Sequence, residues 1–361
     1  MRPVHLLGVF IPTAIALELA HASPVLVFTA AALGVIPTAA VMGEATEHLA
    51  AQTGPGIGGF LNVTFGNAPE LIIAFFALNE GLQEVVKASI VGSIVGNILL
   101  VLGAAMLVGG LGREKQSFNR TAANAQSAML LLAIIALILP AVFQLVHGGG
   151  LPSVGDERVD FGSELEKLSL CVALVLMATY AAGLLFSLKT HRDTFNPFGG
   201  EGHEQEAEPW SIKRALAMLA AAAVLVGLMS EVLVGSISDA SKDIGLSQFF
   251  VGVFVVAIVG NAAEHWVAVL VAKKDKMDLA VSIAVGSSAQ VALFVAPLLV
   301  LLSFVVGPNP LALVFNGYEL GGLLFAVLIA NFITQDGESN WFEGVQLLAL
   351  YAVLGLVFYF A

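Results

Sequence analysis

Charge is scarce in this sequence. Only 12% of its 361 residues are Asp, Glu, Lys or Arg, whereas 58% are hydrophobic. Because an average soluble domain is roughly 25% charged, we predict an integral membrane protein. The one cysteine, Cys171, excludes a disulfide within the chain and provides no thiolate zinc site. The net charge of −12 has the wrong sign for DNA or RNA, so no nucleic-acid partner is expected.

Long apolar runs separated by Gly, Pro and charged residues indicate helical spans, because β-barrel strands would alternate over about ten residues. The fold class predicted is an all-α polytopic membrane protein with about 11 transmembrane helices. The expected spans are residues 4–20, 24–50, 57–79, 85–110, 121–146, 164–188, 211–238, 246–272, 278–305, 311–333 and 340–360.

The basic residues predict the orientation. With alternating spans, four of the 15 Lys and Arg fall on one side of the membrane, namely Lys87, Arg158, Lys167 and Lys242, and the remaining eleven fall on the other. The positive-inside rule therefore places the amino terminus in the cytoplasm and the carboxyl terminus outside.

An internal repeat is the most informative feature of the sequence. Gly66-Asn67-Ala68-Pro69-Glu70 recurs 194 residues later as Gly260-Asn261-Ala262-Ala263-Glu264, and Val91-Gly92-Ser93 recurs at the same offset as Val285-Gly286-Ser287. Five predicted spans separate the copies, and because five is odd the two halves should have inverted topology, as in many secondary transporters.

The repeat also predicts the domain organisation. One extra N-terminal helix precedes two inverted-topology five-helix repeats, which are joined by an acidic cytoplasmic connection. The corresponding boundaries are residues 1–23 for the extra helix, 24–188 for the first half, 189–210 for the linker and 211–361 for the second half.

Two carboxylates lie at equivalent positions of the repeat, inside apolar helices. Burying a carboxylate at the bilayer centre costs at least about 2.5–3.5 kcal/mol, so Glu70 and Glu264 should face a cavity or a partner. Asn67 and Asn261 lie three residues earlier on the same helical face. Pro69 has no N–H and should leave the carbonyl of Phe65 free.

The expected ligands are all oxygen atoms. Ser93, Ser287 and Gln290 on the partner helices add hydroxyl and amide groups to the two carboxylates. Such a set suits Ca²⁺ better than zinc or copper, and Mg²⁺ usually keeps its waters. The same carboxylates can bind protons, so competition between Ca²⁺ and H⁺ is the simplest chemistry of an exchanger. Close helix packing is the alternative explanation for the Gly and Ser positions, but it does not require a buried carboxylate.

These motifs resemble those of the Ca²⁺/H⁺ antiporter family within the cation/Ca²⁺ exchanger superfamily. The resemblance rests on residues 66–70 with Gly92-Ser93, and on residues 260–265 with 286–290. It implies that Glu70 and Glu264 bind Ca²⁺ and exchange it for protons, without a bound cofactor. It also implies a homo-oligomer in the lipid bilayer, with a trimer as one option. Pro69 and Gly96 depart from the family, where Thr and Ser are frequent.

Five further polar residues each allow two interpretations. Glu44, Glu47 and His48 end the second span, and Glu231 and Asp239 lie on or beyond the seventh. In the resembling family these spans are gating helices, so the polar groups either line the ion path or are ordinary interfacial helix ends.

The roles of three more features are also left open by the sequence. His265 either tunes or relays protons to Glu264, or is a packed, hydrogen-bonded histidine. Glu319 opens the tenth span, where an interfacial end position is expected. The acidic linker either collects and senses Ca²⁺ or only keeps the segment soluble, and its acidic residues are Glu201, Glu204, Glu206 and Glu208.

The leading hypothesis is an antiporter that moves Ca²⁺ out of the cytoplasm by alternating access, driven by entering protons. The alternatives are exchange against Na⁺ and transport of Mn²⁺ or Mg²⁺. A passive cation channel is disfavoured because channels usually place charged rings on an axis between subunits. An enzyme is not expected, since no Ser–His, Cys–His or zinc set lies at matching depth. The compact size, without an evident targeting segment, favours a prokaryotic plasma membrane.

Overall fold

A computed structural model of the chain describes residues 3–155, 162–190 and 210–361. The described residues are mostly helical, with two short strands that pair antiparallel, Gln116 opposite Ser339. The α-helices are α1 (Phe10–Leu19), α2 (Pro24–Gly66), α3 (Ala68–Asn79), α4 (Gln83–Val95), α5 (Leu102–Gly110), α6 (Arg120–Val146), α7 (Gly162–Leu185), α8 (Ile212–Ile244), α9 (Gln248–Phe250), α10 (Ala257–Lys273), α11 (Met277–Val281), α12 (Ser287–Gln290), α13 (Ala296–Leu302), α14 (Gly317–Ile333) and α15 (Trp341–Tyr359). The four glutamates of the acidic linker, Glu201, Glu204, Glu206 and Glu208, lie outside the described residues.

The lengths of these helices suit a membrane. Among the described residues, eight helical segments are long and apolar enough to cross a bilayer, and three shorter ones of 10–17 residues are also apolar. The three shorter segments are Leu6–Leu19, Ala68–Asn79 and Gly317–Ile333. The all-α membrane fold class is therefore confirmed, while the number of spans stays a prediction.

Helix α2 contains a sharp reversal that its hydrogen bonding alone does not reveal. A Cβ atom on Gly58 would touch the carbonyl oxygen of Ala50, although a straight helix would separate these residues by about 12 Å along its axis. Farther on, Ala68 lies in the same apolar cluster as Met42 and Leu49. The chain thus turns back between Ala50 and Gly58.

The tenth span begins later than predicted. Residues 311–316 are extended rather than helical, and α14 starts at Gly317. Asn316 caps this helix: its side chain accepts the N–H of Glu319, while the Glu319 carboxylate accepts the N–H of Asn316. The N–H groups of Leu311 and Leu313 donate to serine hydroxyls at 2.7 and 2.9 Å. These side-chain partners allow a buried apolar segment to remain extended.

The chain forms two compact units. The first comprises Met1–Phe76, Ala182–Leu246 and Val259–Ala263, and the second comprises the rest. Within the first unit, α2 packs along α8 and also contacts α1. Within the second, α4 packs against the π-helical segment Val251–Val256, and α5 packs against α15.

Glycines permit a close helix crossing in the second unit. A Cβ on Gly92 would overlap the carbonyl of Val253 and lie 2.7 Å from Cβ of Ala257, and one on Gly252 would lie 2.7 Å from Cβ of Ala88. Gly92 of the repeated motif therefore has a packing role, as small residues often have in membrane helices.

π-Helical segments occur at equivalent places in the two repeats. Residues Gly96–Val101 follow α4, and Val291–Val295 follow α12, which is the position expected from the offset of 194. Such segments widen the helix and are frequent at functional sites. The repeat in sequence is therefore matched by a repeat in local backbone geometry.

Candidate ion-binding site

The first motif interrupts its helix. Helix α2 ends at Gly66, Asn67 lies between helices, and α3 begins at Ala68. The carbonyl of Phe65, which the sequence predicts to be free, instead accepts the N–H of Asn67. Proline removes the donor that would normally bond this carbonyl, and the local turn supplies another.

The second motif keeps its helix intact. Helix α10 runs from Ala257 to Lys273 through Asn261 and Glu264. Ala263 occupies the place of Pro69 and retains its N–H, so nothing breaks the hydrogen-bond ladder there. The two copies of the motif therefore share side chains but differ in backbone.

Within the first unit, Glu70 is buried and packs against the other copy of the motif. A Cβ atom on Gly260 would lie 3.1 Å from Cγ and 3.7 Å from Cα of Glu70. Gly260 thus leaves the space that the Glu70 side chain needs. Asn261, which follows Gly260 in sequence, is also buried. Asn67, Glu70 and Asn261 all lie in this unit.

Within the second unit, Glu264 is bound by a residue of the repeated Gly-Ser motif. Ser287 hydrogen-bonds the Glu264 carboxyl group, as expected if this serine belongs to the site. The other carboxyl oxygen, Oε2, is buried and has no hydrogen-bond partner among the described residues. A buried carboxyl oxygen without a donor is costly unless a cation or a proton occupies it.

His265 bonds the partner helix rather than Glu264. Its Nε2 lies 3.1 Å from Oδ1 of Asn97, a buried residue of the π-helical segment after α4. The Nδ2 of Asn97 has no hydrogen-bond partner among the described residues. In this arrangement the amide oxygen of Asn97 is paired with the His265 ring.

The remaining predicted ligands are placed as follows. Ser93 and Ser287 are buried, and Gln290 is half-buried at the end of α12. Ser288, adjacent to Ser287, instead bonds its own helix, with its hydroxyl 2.9 Å from the carbonyl of Ala284. Of the two serines in this motif, Ser287 is the one that reaches the carboxylate.

The predicted ion-path and gating residues are more exposed than the predicted ligands. Glu44 is half-buried on α2, and Glu47, Glu231 and Asp239 are exposed. His48 is half-buried, and its ring stacks on that of Trp210 at a centroid distance of 4.4 Å.

Sequence reasoning missed a buried charge cluster at the start of α4. Lys87 donates to the carbonyl of Val314 at 2.9 Å and acts electrostatically on Glu319. Glu84 accepts the N–H of Gly155 at 2.7 Å. The Asn316-Gly-Tyr-Glu319 capping signature was readable in the sequence, but the pairing with Lys87 spans more than 200 residues.

The chemistry available at the motifs is that of hard cations and protons. Glu70 is buried in the first unit and Glu264 is half-buried in the second, and amides and hydroxyls accompany both motifs. Carboxylate, amide and hydroxyl oxygens are the usual ligands of Ca²⁺, and the carboxylates also accept protons.

Comparison with known proteins gives consistent results. The family described as sodium/calcium exchanger protein matches residues 23–189 and 214–360. The Ca²⁺/H⁺ antiporter of Aphanothece halophytica is 44% identical over 363 residues, covering 97% of this chain and 94% of that protein. The Ca²⁺/H⁺ antiporter ChaA of Bacillus subtilis is 43% identical over 351 residues, covering 97% and 96%.

A solved structure agrees with the fold. The crystal structure of the selenium-substituted Ca²⁺/H⁺ antiporter protein YfkE has a TM-score of 0.83 and 39% identity, and the match covers 100% of both chains. The family resemblance predicted from the two Glu motifs is thereby confirmed. The chain belongs to the sodium/calcium exchanger protein family and, within it, to the Ca²⁺/H⁺ antiporters.

Proposed function

We propose that this protein is a secondary transporter that exchanges cytoplasmic Ca²⁺ for protons, and that the two ions compete for Glu70 and Glu264. The observation that carries the proposal is the Glu264 carboxyl group, which Ser287 hydrogen-bonds and whose Oε2 is buried without a donor among the residues that the structure describes. Glu70 is its buried counterpart in the repeat, seated against Gly260.

Coupling follows from electrostatics. Two ionised carboxylates without a counter-ion are unfavourable in a low-dielectric interior. The site therefore changes its access from one side to the other only when it holds Ca²⁺ or protons. Each passage of Ca²⁺ in one direction then requires protons to return in the other. No enzymatic step enters this cycle.

The transport assay uses purified protein in proteoliposomes with an imposed pH gradient. We expect ⁴⁵Ca²⁺ uptake to follow the gradient and to collapse when an ionophore dissipates it. Replacing the opposing ion by Na⁺, and Ca²⁺ by Mn²⁺ or Mg²⁺, separates the alternatives. Uptake that ignores the pH gradient but follows a Na⁺ gradient would identify a Na⁺-coupled exchanger, and flux without saturation would identify a channel.

The orientation and assembly belong to the same proposal. Eleven of the 15 basic residues lie in loops predicted to be cytoplasmic, which places the amino terminus inside. We propose a plasma-membrane location and a homo-oligomer, with a trimer as one option.

Ser287 offers a specific test of the site. Changing Ser287 to Ala removes the hydroxyl that holds Glu264, and we expect the KM for Ca²⁺ to rise about 10–100-fold, as for other residues that orient ion ligands. The measurement is initial ⁴⁵Ca²⁺ uptake at varied Ca²⁺ concentration.

Ser288→Ala is the matched control, because that hydroxyl bonds the carbonyl of Ala284 in its own helix. It should leave the KM near the parent value. Equal effects of the two substitutions would show that Ser287 has no particular role toward Glu264.

A further inference from the structure

One aromatic side chain in the first unit is held by an unusual number of contacts. Trp210 immediately precedes α8, and its ring stacks on the imidazole of His48 with an interplanar angle of 20°. The guanidinium of Arg214 lies 4.6 Å from the centroid of the same ring. Both groups thus lie within 5 Å of the Trp210 ring.

The backbone of Trp210 is held as well. Its carbonyl accepts a hydrogen bond from Nε2 of Gln52 at 2.7 Å, and its N–H points to Nδ1 of His48 at 3.5 Å. The ring also packs against the apolar cluster that contains Leu49 and Ala215, which joins α2 to α8. Trp210 thus adds a polar and aromatic attachment between the start of α8 and α2, beside the apolar packing of the two helices.

These contacts require a particular protonation state of His48. An N–H can donate to Nδ1 only when that nitrogen carries no proton. Protonation would set two donors against each other and would place a second positive charge beside the Trp210 ring. His48 is half-buried, so protons can reach its ring.

Charged groups of both signs surround this histidine. The described residues that contribute charge from α2, α8 and the π-helical segment packed on α2 are Glu44, Glu47, Lys213, Arg214 and Lys189. Arg214 is the charge that lies against the Trp210 ring. A second positive charge beside the same ring is unfavourable.

We propose that His48, Trp210 and Arg214 form a proton-sensitive latch between α2 and α8, closed when His48 is neutral and released when it is protonated. The effect of this latch on transport rests on the proposed function. The latch lies at the end of α2 that the basic residues predict to be cytoplasmic. Exchange brings protons into the cytoplasm, so release of the latch by acid would slow transport as its product accumulates.

The latch itself is tested by fluorescence, without any transport. The chain contains three tryptophans, and replacing Trp266 and Trp341 by Phe leaves Trp210 as the sole emitter. In lipid nanodiscs, lowering the pH from about 8 to about 5 should red-shift the Trp210 emission and increase its quenching by acrylamide. Adding His48→Phe keeps a stacking ring but removes the proton, so this pH response should disappear.

A second histidine provides the control. His147 also stacks on an aromatic ring, that of Phe143 at 4.0 Å, but it lies in the other unit. His147→Phe should leave the pH response of Trp210 unchanged. A response that persists in His48→Phe, or that His147→Phe removes equally, would overturn the latch.

The regulatory consequence has its own readout. With an equal pH difference across the membrane, acidifying the compartment on the cytoplasmic face should slow Ca²⁺ exchange in the parent protein and leave His48→Phe less affected. If both proteins slow equally, the latch does not regulate transport. Absence of Ca²⁺ exchange in every variant would instead reject the proposed function, while the fluorescence result would still stand.

Discussion

Glu70→Gln and Glu264→Gln are each expected to reduce Ca²⁺/H⁺ exchange by at least about 100-fold, the upper end of the effects seen for residues around bound metals. Glutamine preserves the shape of the side chain but can neither neutralise Ca²⁺ nor bind a transported proton. Initial ⁴⁵Ca²⁺ uptake into proteoliposomes under an imposed pH gradient measures the loss, and Ca²⁺ binding by calorimetry shows whether it arises at the binding step.

The matched control is Glu164→Gln. This glutamate lies in the first turn of α7, in another apolar helix, but its side chain is exposed. It should fold and transport as the parent does. Full exchange by either Glu70→Gln or Glu264→Gln would remove that residue from the site, provided the protein is folded and inserted.

Lys87→Met is expected to destabilise the protein by about 3–5 kcal/mol, the cost of leaving one member of a buried ion pair without the other. Lys87 is 7% exposed and Glu319 only 1%. Oε1 of Glu319 has no hydrogen-bond partner among the described residues, so the ammonium of Lys87 is the main source of compensation for its charge. Thermal unfolding in detergent, monitored by intrinsic fluorescence, measures the loss.

A double variant separates charge from packing. In Lys87→Met with Glu319→Gln the uncompensated carboxylate is absent, and glutamine can still accept the N–H of Asn316 in the capping box. The double variant should therefore be more stable than Lys87→Met alone. Lys167→Met, at an exposed position of α7, serves as the control. A double variant no more stable than the single one would show that Lys87 acts through packing.

The location of this pair also shows how the two repeats differ. Glu84 corresponds to Asp278 at the offset of 194, and each accepts a backbone N–H from another segment, that of Gly155 and that of Asn119. Lys87, however, corresponds to Val281. The pair of Lys87 and Glu319 therefore has no charged counterpart at the equivalent positions of the repeat, which are Val281 and Ala125.

Much of the architecture was readable from local patterns. Apolar run lengths indicated membrane helices because the bilayer thickness sets the number of residues needed. The recurrence of Glu70 as Glu264 within apolar segments indicated a repeated ion site, because a carboxylate is too costly there without a function. The same motifs predicted the antiporter family, which the comparisons confirm.

Other features depend on contacts between distant segments. Residues 311–315 are as apolar as a helix in sequence, yet they are extended because Ser169, Ser303 and Lys87 bond their backbone groups. Hydropathy alone cannot distinguish these outcomes, since it records the burial of a segment but not the partners of its backbone.

The sequence by itself thus determined that the chain is a membrane protein, its helical class, its repeat and its family, since each depends on composition or spacing along the chain. The role of the two glutamates stays a prediction. Only the tertiary structure decided which hydroxyl of Ser287 and Ser288 reaches Glu264, that His265 holds Asn97, and that Trp210 joins α2 to α8. The physical reason is that side-chain hydrogen bonds and ring stacking depend on distances of a few ångströms between residues far apart in sequence.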